Sequence, residues 1–160
     1  MRTNHQFLNL YPIEPDSHKL IVGTIHPPDP SRFKVQFFYG NRGSLWTILH
    51  HAFPLELVNP DSVESIRSFL RARKIAMSDT VAVREQKGYT LGENFFGRPV
   101  RLVVLHSPAG TANISLSKSK EYLADRHLYD GIKSPVQMFK IDYYRRVFGG
   151  DLISYKGKEK

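Results

Sequence analysis

Cysteine is absent from the chain. That removes disulfides, thiolate-bound zinc and iron–sulfur clusters together, and it suits an intracellular, cytoplasmic protein. Long apolar runs are absent too. No stretch approaches the ~18 consecutive apolar residues of a membrane span. No helical pattern joins a broad apolar face to a dense Lys/Arg face, so no membrane partner is expected. The opening Met1-Arg2-Thr3-Asn4-His5 lacks the apolar core of a signal peptide. The 7 histidines include His50-His51 but no H-x-x-x-H pair beside a carboxylate, so neither metal nor other cofactor is expected. G-x-S-x-G and phosphate-loop motifs are missing as well, which sets aside those enzyme classes.

What the chain has instead is positive charge. Its 160 residues carry 23 Lys and Arg against 15 Asp and Glu, a net charge of +8. The length suits a single domain, and a compact domain this basic is matched to a polyanion, nucleic acid first. Residues 1–17 are polar and Pro-containing and read as a lead-in packed on the surface. The charged end, 155–160, reads as a flexible tail.

Two runs read as buried strands, Lys19–Ile25 (KLIVGTI) and Val100–Leu105 (VRLVVL), being apolar and β-branched. Ile75–Val83 has room for a short strand or turn. Helices are expected over Ser44–Phe53, with Leu45, Trp46, Leu49 and Phe53 inward, and from Asp61, where Asp61-Ser62-Val63-Glu64 is a capping-box pattern. Ser117–Leu128 reads as a further helix. A last one starts at Ser134-Pro135 and stops at Gly149-Gly150. Its inward face is expected to be Phe139, Tyr143 and Val147, leaving Lys140, Arg145 and Arg146 to solvent. Alternating strands and helices imply an α/β sandwich with a mostly parallel sheet. In such sheets, sites gather beyond the carboxyl ends of the strands.

Both predicted strands end in unusual loops: Gly23-Thr24-Ile25-His26-Pro27-Pro28 and His106-Ser107-Pro108-Ala109-Gly110. Residues 26–43 form a long segment rich in Pro, Gly and aromatics, and loops that long in a compact domain are usually functional. Adjacent aromatics in an extended segment point opposite ways, so of Phe37 and Phe38 one can pack inward while the other faces a pocket.

Four elements, in order, resemble the mismatch-specific uracil-DNA and hypoxanthine-DNA glycosylase branches of the uracil-DNA glycosylase superfamily. Thr24-Ile25-His26-Pro27 resembles a strand-ending G-x-N-P variant. Phe37-Phe38-Tyr39-Gly40-Asn41-Arg42-Gly43-Ser44-Leu45-Trp46 resembles an aromatic loop running into N-x-F-W. Ile75–Val81 and Arg84-Glu85-Gln86 resemble G-I-x-x-x-D-V and a charged stretch. Leu105–Gly110 resembles L-P-N-P-S-G. The resemblance spans residues 18–115.

It implies a three-layer sandwich with a central, mostly parallel sheet flanked by helices. It also implies a hydrolase of DNA repair; the motif loops lack an obvious lysine nucleophile, so a monofunctional enzyme is expected, and a monomer. Such an enzyme flips a base out of single- or double-stranded DNA and hydrolyses its N-glycosidic bond. His26 falls where relatives carry the water-positioning Asn, and Gly43 falls on the Asn of N-x-F-W, with Asn41 two residues before it as a substitute. Ser107 takes a third Asn position. His26, Asn41 and Ser107 are thus the catalytic candidates; Thr24, Ile25, Phe38, Tyr39 and Gly43 are the base-binding ones, with Phe38 as the stacking ring. Arg42, His106, Gly110, Thr111, Asn113 and Lys118 are candidates for DNA contact, and Arg32, Lys34 and Lys120 add phosphate contacts. Asp79 reads as structural.

Uracil, hypoxanthine, mismatched thymine and a bulky modified base all match the motifs, and a nucleoid location follows if the source is prokaryotic. Two other readings match as well. The missing Asn side chains suit a catalytically inactive DNA-binding relative. His26 and His106 as acid and base would suit an α/β hydrolase of nucleotides, although the motif loops lack the paired carboxylates of common glycoside hydrolases.

Overall fold

The computed structural model describes Phe7, residues 11–23, 30–79, 103 and 105–149, and the backbone of two short strands at 94–95 and 98–99. Thr24, Ile25 and His26, the Asp79 side chain and the 155–160 tail lie outside the described residues. The chain divides into two compact units, each assembled from two stretches. Unit 1 holds 1–43 and 59–102; unit 2 holds 44–58 and 103–160.

Unit 1 is mixed α/β. Strand β1 (Lys19–Gly23) pairs in parallel with β2 (Ile75–Asp79), with Ile21 opposite Met77. The β-branched and apolar residues of both suit a buried sheet, and Ile21, Ile75, Ala76 and Met77 are buried. A separate antiparallel pair joins β3 (Asn94–Phe95) to β4 (Arg98–Pro99). Helix α2 (Val63–Ala72) packs on β2, and its buried residues are Ile66, Phe69 and Leu70. Its cap is Ser62 rather than Asp61: the Ser65 N–H donates to Ser62 Oγ at 3.3 Å. Asp61 instead holds Lys34 at 2.7 Å, one residue too early to cap.

Within the lead-in, residues 12–17 are exposed or half-buried, and two aromatics anchor it. Phe7 and Tyr11 are buried, and the Tyr11 hydroxyl donates to the Ile75 carbonyl at 3.2 Å. Polarity of the surrounding residues hid this, because two aromatics suffice to anchor an otherwise exposed stretch.

Unit 2 is helical in its described part. Helix α1 (Ser44–Ala52) buries Leu45, Trp46, Ile48 and Leu49. Each such side chain contributes about 1.5–3 kcal/mol on burial. α3 (Asn113–Leu116) and α4 (Lys120–Asp125) are short, and a 3-10 turn (Arg126–Tyr129) follows α4. The expected helix over 117–128 thus begins at Ser119, whose Oγ accepts the Tyr122 N–H at 3.2 Å. Helix α5 (Pro135–Phe148) starts with Pro at N1 and ends on Gly149 at φ 83.

α5 packs against α1 on a face the sequence misplaces. Phe139, Ile141, Tyr144 and Phe148 are buried, while Tyr143 and Val147 are only partly so. Lys140 and Arg145 are buried too, and only Arg146 of the expected solvent face is exposed. Arg145 crosses to the end of α1, donating from Nε to Ala52 O at 2.8 Å and from Nη2 to His51 O at 3.3 Å. A cation on unsatisfied C-terminal carbonyls is favoured by the helix dipole. Asp142 balances it at 3.1 Å and accepts the Tyr129 hydroxyl at 3.2 Å.

The second predicted strand is corrected where it is described. Val103 and Leu105 lie in no strand, and Val103 is 40% exposed. A β-branched run fits a pleated surface, but a strand exists only with a ladder, and among the described residues β1 pairs with β2.

Candidate functional site

In unit 1, residues 30–43 form consecutive turns closed by backbone bonds: Phe33 N to Pro30 O at 2.9 Å, Gly40 N to Phe37 O at 3.0 Å and Val35 N to Gly40 O at 3.2 Å. The fold-back leaves no room at Gly40, where a Cβ would stand 1.7 Å from the Val35 carbonyl oxygen. Tyr39 is held at φ 54, a left-handed conformation that costs a non-glycine residue roughly 1–2 kcal/mol. Strain of this kind gathers at functional segments.

Phe37 and Phe38 do not split between core and pocket. The backbone there turns instead of extending, so the alternation of a strand does not apply. Their rings meet edge-on at 5.3 Å, and Phe7 approaches both, at 6.4 Å and 6.1 Å. Phe38 is 0% exposed. A base can stack on it only after these neighbours move. Asn41 and Arg42 are exposed, whereas Gly43 is buried at φ 63.

In unit 2, the second motif loop is fastened to α5. The Tyr144 hydroxyl donates to His106 O at 2.7 Å, and Lys140 Nζ donates to Ala109 O at 2.9 Å. Asn113 Nδ2 donates to Gln137 Oε1 at 3.2 Å, also on α5. The His106 ring lies 4.4 Å from Tyr143 and 6.2 Å from Phe139. Burial, with Lys140 nearby, depresses its pKa against the opposing pull of Glu121, so the imidazole is neutral at pH 7. Its Nε2 is buried and has no hydrogen-bond partner, and neither has Asn113 Oδ1. Buried polar atoms of this kind are rare in folded proteins.

The other members of that loop are open. Ser107 is exposed, its Oγ accepting the Ala109 N–H at 3.4 Å. Gly110 and Thr111 sit exposed in a 3-10 turn (Gly110–Ala112), and Lys118 is exposed beyond α3. A Cβ at Gly110 would meet nothing within 4 Å, so no close approach inside the chain requires glycine there.

The structure thus gathers Phe38 to Gly43 in one turn-rich segment of unit 1, and His106 to Asn113 in one anchored loop of unit 2. A cleft of about 310 Å³ elsewhere in unit 2 is lined by Ser117, Tyr122, Arg126, Asp130 and Pro135 among others, and by none of the predicted site residues. No family model matches the chain, and neither a curated protein nor a solved structure does.

Among the described residues, no group of three His, Asp or Glu is placed to hold a metal ion, and no helix is long and apolar enough to cross a membrane. Lys140, Tyr143 and Tyr144 were not legible as loop supports. The one sequence signal was Lys140 and Tyr144 at i, i+4, which share a helix face, and a lysine on that face reads as solvated until its partner is known.

Proposed function

We propose that the chain is a monofunctional DNA N-glycosylase of the uracil-DNA glycosylase superfamily. In this reading it is a cytoplasmic monomer acting on single- or double-stranded DNA in base-excision repair, with the sandwich of three layers and mostly parallel sheet that the motifs imply. The observation that carries the proposal is the anchored His106 loop. A neutral imidazole held in place beforehand can stabilise negative charge as it develops, at little reorganisation cost. Its Nε2 has no partner in the chain and is closed to solvent, so an incoming polar group meets it once neighbouring side chains move.

In the proposed reaction, water adds to C1′ of the flipped deoxynucleotide as the C1′–N bond breaks. The bonding pair leaves with the base, which takes up a proton, and the sugar keeps the hydroxyl. No oxidant or second substrate is needed for this balance. His106 stabilises the departing base and His26 positions the water, with Asn41 and Ser107 as further polar groups. Phe38 supplies the stacking ring, worth about 1–3 kcal/mol, against the few kcal/mol lost on unstacking. Thr24, Ile25, Tyr39 and Gly43 shape the base pocket. Arg42, Gly110, Thr111, Asn113 and Lys118 meet DNA.

The complete burial of Phe38 favours a second reading, a DNA-binding relative that releases no base. One experiment separates the two. End-labelled DNAs, single- and double-stranded, each carrying one candidate base, are incubated with wild type, His26→Ala and His106→Ala, then cleaved with alkali. Release at one lesion, lost in either variant, supports the glycosylase and names the base. Salt-sensitive binding with no abasic site on any substrate leaves the binding protein.

A further inference from the structure

Helix α2 presents Arg67 and Arg71 one turn apart, followed by Arg73 and Lys74. Two of these four charges are answered locally. Lys74 pairs with Asp16 at 3.2 Å, and the Arg73 guanidinium lies 5.9 Å over the Phe69 ring. Arg67 and Arg71 have no ion pair among the described residues. Both instead act on the Tyr11 hydroxyl, their charges drawing its pKa down against the larger upward push of burial. Like charges at i, i+4 repel, so the pair works against its own helix.

The helix dipole accounts for Arg71, which lies in the last turn. It does not account for Arg67, in mid-helix, whose Nε is buried with no hydrogen-bond partner. A buried N–H without an acceptor is rare, and an acceptor from outside meets this one once neighbouring side chains move. The fork of a guanidinium fits the oxygens of a phosphate, and two forks on one face, separated by about 6 Å of helix rise, fit a row of them.

We propose that Arg67 and Arg71 form a phosphate-binding edge on α2 whose occupant is the DNA backbone. The choice of DNA rests on the reading above; the phosphate chemistry rests on the two arginines. Neither residue belongs to the motifs that resemble a glycosylase.

The test is the salt dependence of binding to a labelled, undamaged duplex, followed by fluorescence anisotropy. The Arg67→Gln/Arg71→Gln double variant is expected to lower the slope of log K against log salt by about 1.8, since each lost phosphate contact removes about 0.9. Arg67→Lys/Arg71→Lys is expected to keep most of the slope. Arg126→Gln/Lys133→Gln removes the same charge from unit 2 and is expected to change the slope less. Equal falls in the two Gln doubles, no fall in either, or no binding by the wild type overturn the proposal. Circular dichroism confirms that α2 remains folded in each variant. Base release is scored separately. A lost slope without base release in the wild type keeps the arginine edge and removes the glycosylase; an intact slope with base release does the reverse.

Discussion

Lys140 Nζ donates to the carbonyl oxygen of Ala109 at 2.9 Å, from a side chain that is 0% exposed. A buried ammonium beside one neutral acceptor is poorly solvated, and burial lowers its pKa. The bond nonetheless holds the motif loop to α5, so the residue that strains the core also fixes the loop.

That strain has a sign that can be measured. The unfolded chain holds the Lys140 proton more tightly than the folded one, so stability rises as pH climbs toward the ordinary lysine range. Urea unfolding of wild type and Lys140→Met is expected to show the difference moving in favour of wild type between pH 7 and pH ~10. A pH-independent difference refutes it. Amide exchange at 106–110 is expected to quicken in the variant.

His106 shifts in the same direction but titrates in acid. Its folded pKa is depressed by burial, so unfolded chains take up the proton first and stability falls as pH drops below ~6.5. Below the folded pKa the loss stops growing. His106→Phe is expected to lose less stability than wild type between pH 7 and pH ~5. Parallel curves for the two proteins would rule this out.

Asp142 sits between Arg145 and the Tyr129 hydroxyl. Removing one partner of a buried pair strands the other charge, at about 3–5 kcal/mol. Asp142→Ala is expected to lose that much in urea unfolding, and Tyr129→Phe only about 1–3 kcal/mol, because it removes a neutral donor. Similar losses for both would mean that the ion pair is not the stronger tie.

The two glycines of the aromatic loop are expected to respond in opposite ways. Gly40→Ala forces a Cβ into the Val35 carbonyl and is expected to cost about 3 kcal/mol or more. Gly43→Asn restores the residue of the resembled motif on a left-handed backbone that Asn tolerates, where a Cβ meets the flexible Lys34 chain at 3.3 Å and Asp61 Oδ1 at 4.0 Å. Its expected cost is below about 1 kcal/mol by thermal unfolding, and base release is expected to increase if the proposed function holds.

Local signals were legible in the sequence and long-range ones were not. Pro135 and Gly149 delimit α5 because such end signals depend on neighbours along the chain, while the Ser134 side chain makes no capping bond. Ser44 to Trp46 opens a helix as the motif implies. The buried Lys140 and Arg145 were missed because periodicity equates charge with exposure, whereas their partners, Ala109 and Ala52, lie 31 and 93 residues away. Phe7 was missed for a related reason: a lone aromatic in a polar stretch has no period, and its place depends on Phe33, Phe37 and Phe38. The strand expected at Val103 and Leu105 came from composition alone, which does not supply a ladder.

The order in which the chain is made bears on the pairing of α1 with α5. α1 ends at Ala52 and α5 begins at Pro135, so about 80 residues are translated between them. At roughly 5–20 residues per second, about 4–16 s separate the synthesis of α1 from that of the helix packed against it. During that interval the apolar face of α1 lacks its α5 partner, and that is when a holding chaperone would have most to do.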